Sequence, residues 1–593
     1  MKIAYKNVFL ERCLLTVNLV TAMIVVSTFV SLYGFLNPLF PERALHIIQI
    51  ICFLVFVGEK TCRYLNTVSK REFFYANWFE IPLLSMLTVG VLGAGVWFAV
   101  ENPAPARMLS LGLYLIVQVV WKACKGCVRV AASGKNPTKS LIGIFLVLII
   151  VGAGLLTLPR SYNSDRTSFV DALFTATSAT CVTGLVVQDT GSHFSMMGQV
   201  VILSLIQLGG LGIVIFGAVL ALLLGQALSV RESVAMQDLL SARTLGRIGN
   251  IIAFIFVVTI SLEVLGAFLL SGMWSGICES VPQKWFFSIF HSISAFCNAG
   301  FSLLDNSLIG YSGLWQVYWV IGVLIILGGV GFGVLYDIAG VSFDFFCRIF
   351  RRLIRPAEVF QPRTRKRLSL QTKLVLITSL VLILSGMLLI LVLENNCGQN
   401  ITHKSCGARV SDALFQSVTA RTAGFNTVDI SSMSSASKVV LMILMFIGGS
   451  PGSTAGGIKT VTLAVLVMVT YATFRKRSEV EAFGRSIRLA VVGRAITVTL
   501  LFGVVFLSVS FVLSITERSS GFAMDDIMFE TVSALGTVGL SCGLTENLTT
   551  AGKLIIIATM LIGRLGPLTL LAAMTFNLKP ARYSYPDEPI IVG

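Results

Sequence analysis

Four short stretches of this chain close on a glycine: Cys181-Val182-Thr183-Gly184, Cys297-Asn298-Ala299-Gly300, Arg421-Thr422-Ala423-Gly424 and Gly536-Thr537-Val538-Gly539. The residues ahead of each glycine differ too much as side chains to form a repeated set of side-chain donors. What they share is the residue that lets the main chain aim its carbonyls, because glycine has no Cβ to clash at positive φ. Rings of carbonyl oxygens can replace the hydration shell of an alkali cation, so these stretches suit main-chain coordination of such an ion. Arg421 does not belong beside a cation, and its expected part is to point away and tether its segment.

Each glycine ends a half-polar run of about a dozen residues rich in Ser, Thr and Ala. Phe174, Phe290 and Phe529 stand ten residues before their glycines and Phe415 nine before Gly424, so the third run is one residue shorter. A helix of about 12 residues is roughly 18 Å long and cannot cross a ~30 Å hydrocarbon core. Such a run enters and returns, unless it lies at the interface as an amphipathic helix. Backbone that leaves the helix at membrane depth needs protein or a water-filled path to satisfy it, and four such loops therefore suggest four walls of one pore.

Composition supplies the membrane. Of 593 residues, 55% are hydrophobic and 12% charged, and the mean hydropathy is +0.86, which no soluble domain needs to fill a core. The formal net charge of +16 reports surplus Lys and Arg in cytoplasmic loops, and no nucleic-acid partner is expected. The fold expected is an all-α integral membrane protein. Each unit holds a long apolar run (M1), the short run (P) and a second long run (M2). Four such units, 139–225, 248–340, 372–474 and 488–593 with a C-terminal tail, follow an N-terminal membrane domain at 1–130 of about four transmembrane helices.

Basic clusters at Lys2 to Arg12, Lys60 to Arg71 and Lys122 to Lys139 alternate with turns nearly free of them, which puts the N-terminus inside. The loops at 337–373 and after 474 are basic and read as cytoplasmic. Asp189, Asp305, Asp429 and Glu546 then fall on the external side, either concentrating cations at the mouth or as solvated loop acids.

The third M2 run, 437–473, would be roughly 55 Å long as one helix, beyond what a bilayer needs, and must break. The break is written as Gly448-Gly449-Ser450-Pro451-Gly452-Ser453-Thr454-Ala455-Gly456-Gly457-Ile458-Lys459, since glycine and proline disrupt helices. Its tail mimics a phosphate-binding loop, but the lysine falls one place late and no hydrophilic domain surrounds it. Arg564 sits mid-span in the fourth M2, where an arginine costs about 2.5–3.5 kcal/mol on insertion scales. It should face a cavity and could hold carbonyls of the broken stretch. Glu263 is read as a helix-to-helix hydrogen-bonding group, with proton coupling the alternative, and Gly209-Gly-Leu-Gly212 and Gly328-Gly-Val-Gly-Phe-Gly333 as close helix packing.

The segments Ser417-Val-Thr-Ala-Arg-Thr-Ala-Gly-Phe-Asn426 and Val532-Ser-Ala-Leu-Gly-Thr-Val-Gly-Leu-Ser541 resemble the Trk/Ktr/HKT superfamily of potassium transporters, nearest its bacterial KtrB-like and TrkH-like pore-forming subunits. The resemblance covers about residues 139–593, including Tyr585 to Gly593. It implies M1–P–M2 units around a pseudo-fourfold pore, one filter glycine per segment and an intramembrane gate at the broken loop with a pore-facing arginine at 564. It also implies a homodimer and a cytosolic nucleotide-binding regulatory ring as partner. Glycine in all four filter positions is the family's pattern for potassium over sodium. Residues 1–130 lie outside it; Phe56-Val-Gly-Glu59 and Asn77-Trp-Phe-Glu80 look like helices of voltage-sensor domains, but Arg107, Lys122, Lys125 and Arg129 form no mid-helix ladder. A sensor-shaped scaffold is expected.

Other classes fare worse. The single CxxC (Cys124 and Cys127) and four scattered His make no zinc set, and His291 has no nucleophile beside it, so no enzyme and no covalent cofactor are expected. A sodium-permeable transporter of the same fold and a non-conducting membrane scaffold remain as alternatives, with sodium or a proton as possible coupling ion. Cys397 and Cys406 would pair if their loop faces an oxidising compartment. Asn400-Ile-Thr and Asn547-Leu-Thr are glycosylation sequons with meaning only in a eukaryotic secretory route.

Overall fold

The computed structural model describes residues 6–76, 87, 104–133, 137–163, 166–212, 248–354, 366–397, 406–477, 479–518 and 521–567. The C-terminal tail, the third N-terminal run save Leu87, the end of the first unit and the first sequon lie outside them.

The N-terminal part consists of α1 (Val8–Tyr33), α2 (Glu42–Asn66), the short α3 (Lys70–Ala76) and α4 (Ala104–Ser133). Asn7 caps α1, its side chain accepting from the N–H groups of Phe9 and Leu10. Val25, Cys52, Phe56, Leu111, Tyr114 and Leu115 form one apolar core between α1, α2 and α4. Buried Glu59 pairs with Arg63 one turn on (2.6 Å), and Arg63 reaches Glu11 of α1 (3.3 Å), so the carboxylate that the sequence likens to a sensor acid holds the arginine that fastens α2 to α1. Lys122 of α4 sets its ammonium 3.5 Å from the centre of the Phe56 ring, a cation–π contact at the heart of this bundle.

From residue 137 the order is α5 (Pro137–Leu156), α6 (Phe169–Cys181), α7 (Met196–Leu211), α8 (Ile248–Leu270), α9 (Val281–Phe296), a π turn (Val317–Ile321) leading into α10 (Gly322–Val330), and α11 (Phe332–Ile354). Then come α12 (Leu370–Cys397), α13 (Cys406–Thr419), α14 (Ser435–Phe446), α15 (Thr460–Phe474), a hairpin of β1 (Val480–Ala482) and β2 (Arg485–Ile487), α16 (Leu489–Thr516), α17 (Met524–Gly536) and α18 (Thr550–Leu565). Among the described residues α1, α2, α8, α12 and α16 are long and apolar enough to cross a membrane, and the pair formed by Val317–Val330 and α11 also qualifies but bends by 100°. This is a helical membrane protein.

The short helices α6, α9, α13 and α17 are buried, and the phenylalanines counted back from the glycines anchor them: Phe174, Phe290 and Phe529 are 0% exposed and Phe415 2%. Their N-terminal ends are bonded across the bundle. Asp171 of α6 pairs with Lys553 of α18 (2.6 Å), Asp526 of α17 with Lys438 of α14 (3.0 Å), and Asp412 of α13 accepts from the Tyr318 hydroxyl (2.7 Å). In each case a short helix is held by the helix that follows a different glycine. α9 carries Phe287 at the matching place. Losing one partner of a half-buried pair leaves the other charge unsatisfied, and Asp171→Asn should therefore cost about 1–3 kcal/mol. The check is thermal unfolding of detergent-purified protein, in which Asp171→Asn with Lys553→Met should recover part of the loss.

The sequence points to a break in the third M2 run; the structure has it between α14 and α15 and a further one at Gly331, whose φ of +93° ends α10. Gly212 and Gly566 end α7 and α18 with φ of +79° and +80°. The cause is the same in each, a left-handed residue that a side chain would strain.

Candidate ion pathway

Each short helix hands over to an extended segment through one left-handed residue, two places before the glycine: Val182 (φ +58°), Asn298 (+58°), Thr422 (+74°) and Thr537 (+51°). Cys181 and Gly536, placed in the ion-binding segments by sequence, are instead the last residues of α6 and α17, and Cys297 caps α9. Left-handed conformation costs an ordinary residue about 1–2 kcal/mol, and four at one sequence position mark imposed geometry. The glycines follow with φ of +90° (Gly184), +71° (Gly300), +80° (Gly424) and +94° (Gly539).

These glycines meet in cyclic order. A Cβ on Gly184 would overlap the Ala299 carbonyl oxygen and lie 3.1 Å from the Gly300 Cα; one on Gly300 would lie 2.8 Å from the Ala423 oxygen. On Gly424 it would lie 2.7 Å from the Val538 oxygen, and on Gly539 it would overlap the oxygen of Thr183, beside Gly184. The circuit closes, and at every step the neighbouring atom is the carbonyl of the residue before the next glycine.

A hydroxyl behind each segment holds its backbone, a feature that the Ser/Thr-rich composition hints at without assigning. The Gly184 N–H donates to Ser178 Oγ and the Gly539 N–H to Ser533 Oγ (both 3.1 Å). Ser294 Oγ donates to the Phe301 carbonyl (2.8 Å) and Thr419 Oγ1 to that of Phe425 (2.7 Å). Thr419 lies five residues before its glycine and the other three six, which is where the shorter third run absorbs its missing residue. Arg421 turns to α12, donating to Ser379 Oγ (3.1 Å).

Under this ring lie four breaks that the sequence carries as Gly209-Gly210-Leu-Gly212, Gly328-Gly329-Val-Gly331, Gly448-Gly449-Ser450 and Gly563-Arg564-Leu-Gly566. A Cβ on Gly209, Gly328 or Gly563 would overlap the carbonyl oxygen of Thr180, Phe296 or Leu535, each four residues before its glycine. The close-packing reading of the first two strings thus extends to a third. Arg564 stands where the other three have a second glycine.

The stretch between α14 and α15 is packed and bonded on several sides. Ser450 N–H donates to the Gly329 carbonyl and Phe332 N–H to that of Gly452 (both 3.0 Å), while Ser450 Oγ donates to the Val330 carbonyl. Within the stretch, Lys459 donates to the Ala455 carbonyl at 2.7 Å and Ser453 Oγ to that of Ser450 at 2.7 Å, so the lysine of the phosphate-loop mimic is spent on its own backbone. A Cβ on Gly456 would overlap Thr537 Oγ1, and one on Gly457 would lie 3.1 Å from the Gly448 nitrogen. Arg564 closes the far side: its guanidinium donates to the carbonyls of Thr454 and Gly209.

Residues 129–583 match the family model described as TrkH, cation transport protein. The chain belongs to this family. It is 41% identical over 464 residues to Ktr system potassium uptake protein B of Bacillus subtilis, covering 77% of this chain and 96% of the relative. Potassium/sodium uptake protein NtpJ of Enterococcus hirae is 37% identical over 464 residues, with 77% and 97% covered. In fold the chain is similar to the crystal structure of the potassium transporter TrkH from Vibrio parahaemolyticus, with a TM-score of 0.56 at 20% identity, over 84% of this chain and 96% of that one. TrkH family membership accounts for α5 through α18, whereas α1 to α3 and most of α4 precede the matched residues.

Elsewhere in this TrkH-family chain, Glu263 of α8 accepts from Gln207 of α7 (3.2 Å). Asp189 and Asp429 shape their own turns, accepting from Ser192 and Ser431 N–H groups at 2.7 and 3.0 Å. Cys406 is a free thiol; residues 398–405, which would carry Cys397 to it, lie outside the described set.

Proposed function

We propose that the chain conducts potassium across the plasma or inner membrane as the pore-forming subunit of an uptake system, with potassium its substrate. In this reading 139–225, 248–340, 372–474 and 488–593 are M1–P–M2 repeats around a pseudo-fourfold axis, and the termini are cytoplasmic. The carbonyls of residues 182–184, 298–300, 422–424 and 537–539 are the selectivity filter, while 448–459 with Arg564 form the gate. The observation that carries it is the closed circuit of the four glycines, each meeting the carbonyl before the next. Neutral oxygens held by a rigid frame suit a monovalent cation stripped of water.

The test is growth of a potassium-uptake-deficient bacterium at limiting potassium, with rubidium and sodium influx measured alongside. Rescue with preferential potassium or rubidium entry is expected; equal sodium influx would favour the second reading, a potassium- and sodium-permeable transporter, which the name of the Enterococcus relative favours.

We also propose a homodimer regulated by a cytosolic nucleotide-binding ring. The B protein of a named Ktr system is a component, and the basic hairpin after α15 exposes Phe483 (56%) between Arg477 and Arg485. Co-purification with such a ring should depend on adenine nucleotide and fall when Arg348, Arg475 and Arg485 are changed to Glu; recovery of membrane dimers alone, indifferent to nucleotide, would count against it.

A further inference from the structure

A cleft of about 740 Å³ runs along the seam between the N-terminal helices and the first repeat. Val25, Val26 and Phe29 of α1 form one wall, and Ile116 and Val119 of α4 another; Leu155 of α5 and Met197 of α7 close it. Along α1 the walls reach from Val25 to Tyr33, about 12 Å at 1.5 Å per residue. Val26, Ile116 and Val120 are 46%, 43% and 46% exposed, so the cleft is open on the side where these apolar spans meet their surroundings.

Its polar groups gather at one end. Arg160 and Ser195 line that end with Tyr33. Ser195 caps α7, accepting from the Gly198 N–H, and its own hydroxyl donates to the Arg160 carbonyl (2.7 Å). The Arg160 side chain makes a long hydrogen bond to the Leu32 carbonyl (3.5 Å). An arginine at the end of an apolar trough is a setting that favours a phosphate. The long apolar trough leading to it suits hydrocarbon and would hold water poorly.

We propose that this cleft binds one anionic glycerophospholipid, an acyl chain between α1 and α4 and the phosphate against Arg160. The lipid would join the N-terminal helices, which lie largely outside the family match, to the first repeat, where direct packing leaves the seam open. The proposal rests on the chain being a membrane protein and is independent of which ion it conducts.

Full-length protein, purified in detergent and stripped of lipid, is titrated with dioleoyl phosphatidylglycerol or dioleoyl phosphatidylcholine and read by native mass spectrometry. The parent should retain one phosphatidylglycerol per protomer, about fivefold tighter than phosphatidylcholine, the worth of one surface arginine toward an anionic headgroup. Ile116→Trp, at a half-exposed position, should fill the trough and lose the bound lipid. Arg160→Gln should keep a lipid but lose the headgroup preference, and this variant guards against a misfolded tryptophan variant. Equal retention by Ile116→Trp and parent, or a preference that survives Arg160→Gln, would overturn the site. Loss of the dimer in Ile116→Trp with lipid binding unchanged would also overturn it, assigning the cleft to a second copy of the chain.

Discussion

Replacing Arg564 with alanine should raise potassium flux about tenfold and leave the preference for potassium over sodium nearly unchanged. The guanidinium bridges the Thr454 and Gly209 carbonyls, joining the stretch between α14 and α15 to the break that ends α7. Hydrogen bonds to a charged group are worth about 1.5–3 kcal/mol each. Losing the equivalent of one bond moves a closed-to-open equilibrium about tenfold. On the proposed pathway the arginine would also repel a cation, and alanine would remove that repulsion. Deleting residues 450–457 should act in the same direction, since it takes away the stretch proposed as the gate, which Arg564 holds at Thr454. Flux is measured as rubidium uptake into proteoliposomes, with protein amount and dimer integrity compared by gel filtration. Unchanged or lower flux from both variants in well-folded protein would mean that the stretch is a packing kink.

The opposite pattern is expected one level up. Gly184→Ser, Gly300→Ser, Gly424→Ser and Gly539→Ser should each lower potassium preference about tenfold, because about 1–2 kcal/mol of left-handed strain falls on the backbone proposed to coordinate the ion. The side chain also has nowhere to go: at Gly424 a Cβ would lie 2.7 Å from the Val538 oxygen and 3.0 Å from the Gly300 Cα. Relief requires displacing a carbonyl of the neighbouring segment, so a change in one unit disturbs the next. Competition of sodium with rubidium uptake measures the effect, and four variants as selective as the parent would remove these glycines from the filter.

Much of this was legible in the sequence because it follows from repetition and length. The phenylalanine-to-glycine spacing predicts four buried short helices, and Phe174, Phe290, Phe415 and Phe529 anchor them. The Gly/Ser/Pro run after Phe446 announces a helix break because no helix accommodates it. The hydroxyls behind the segments were not legible by residue, since Ser178, Ser294, Thr419 and Ser533 sit among other Ser and Thr, and only backbone geometry says which one reaches the strand. The bend at Gly331 was hidden for a related reason: a glycine in an apolar run reads as packing until its φ is known. Lys122 was set aside because one lysine makes no ladder, yet it finds Phe56 through the approach of two helices far apart in sequence.

The ion pair between Lys553 and Asp171 spans 382 positions of the chain. Segments are made in order, and α6 therefore enters the bilayer long before the lysine that neutralises its aspartate has been translated. Until α18 arrives, the nascent protein carries an unpaired carboxylate and an unclosed wall. A chain cut short before Lys553 would therefore keep Asp171 without its partner and leave α6 unfastened at that end.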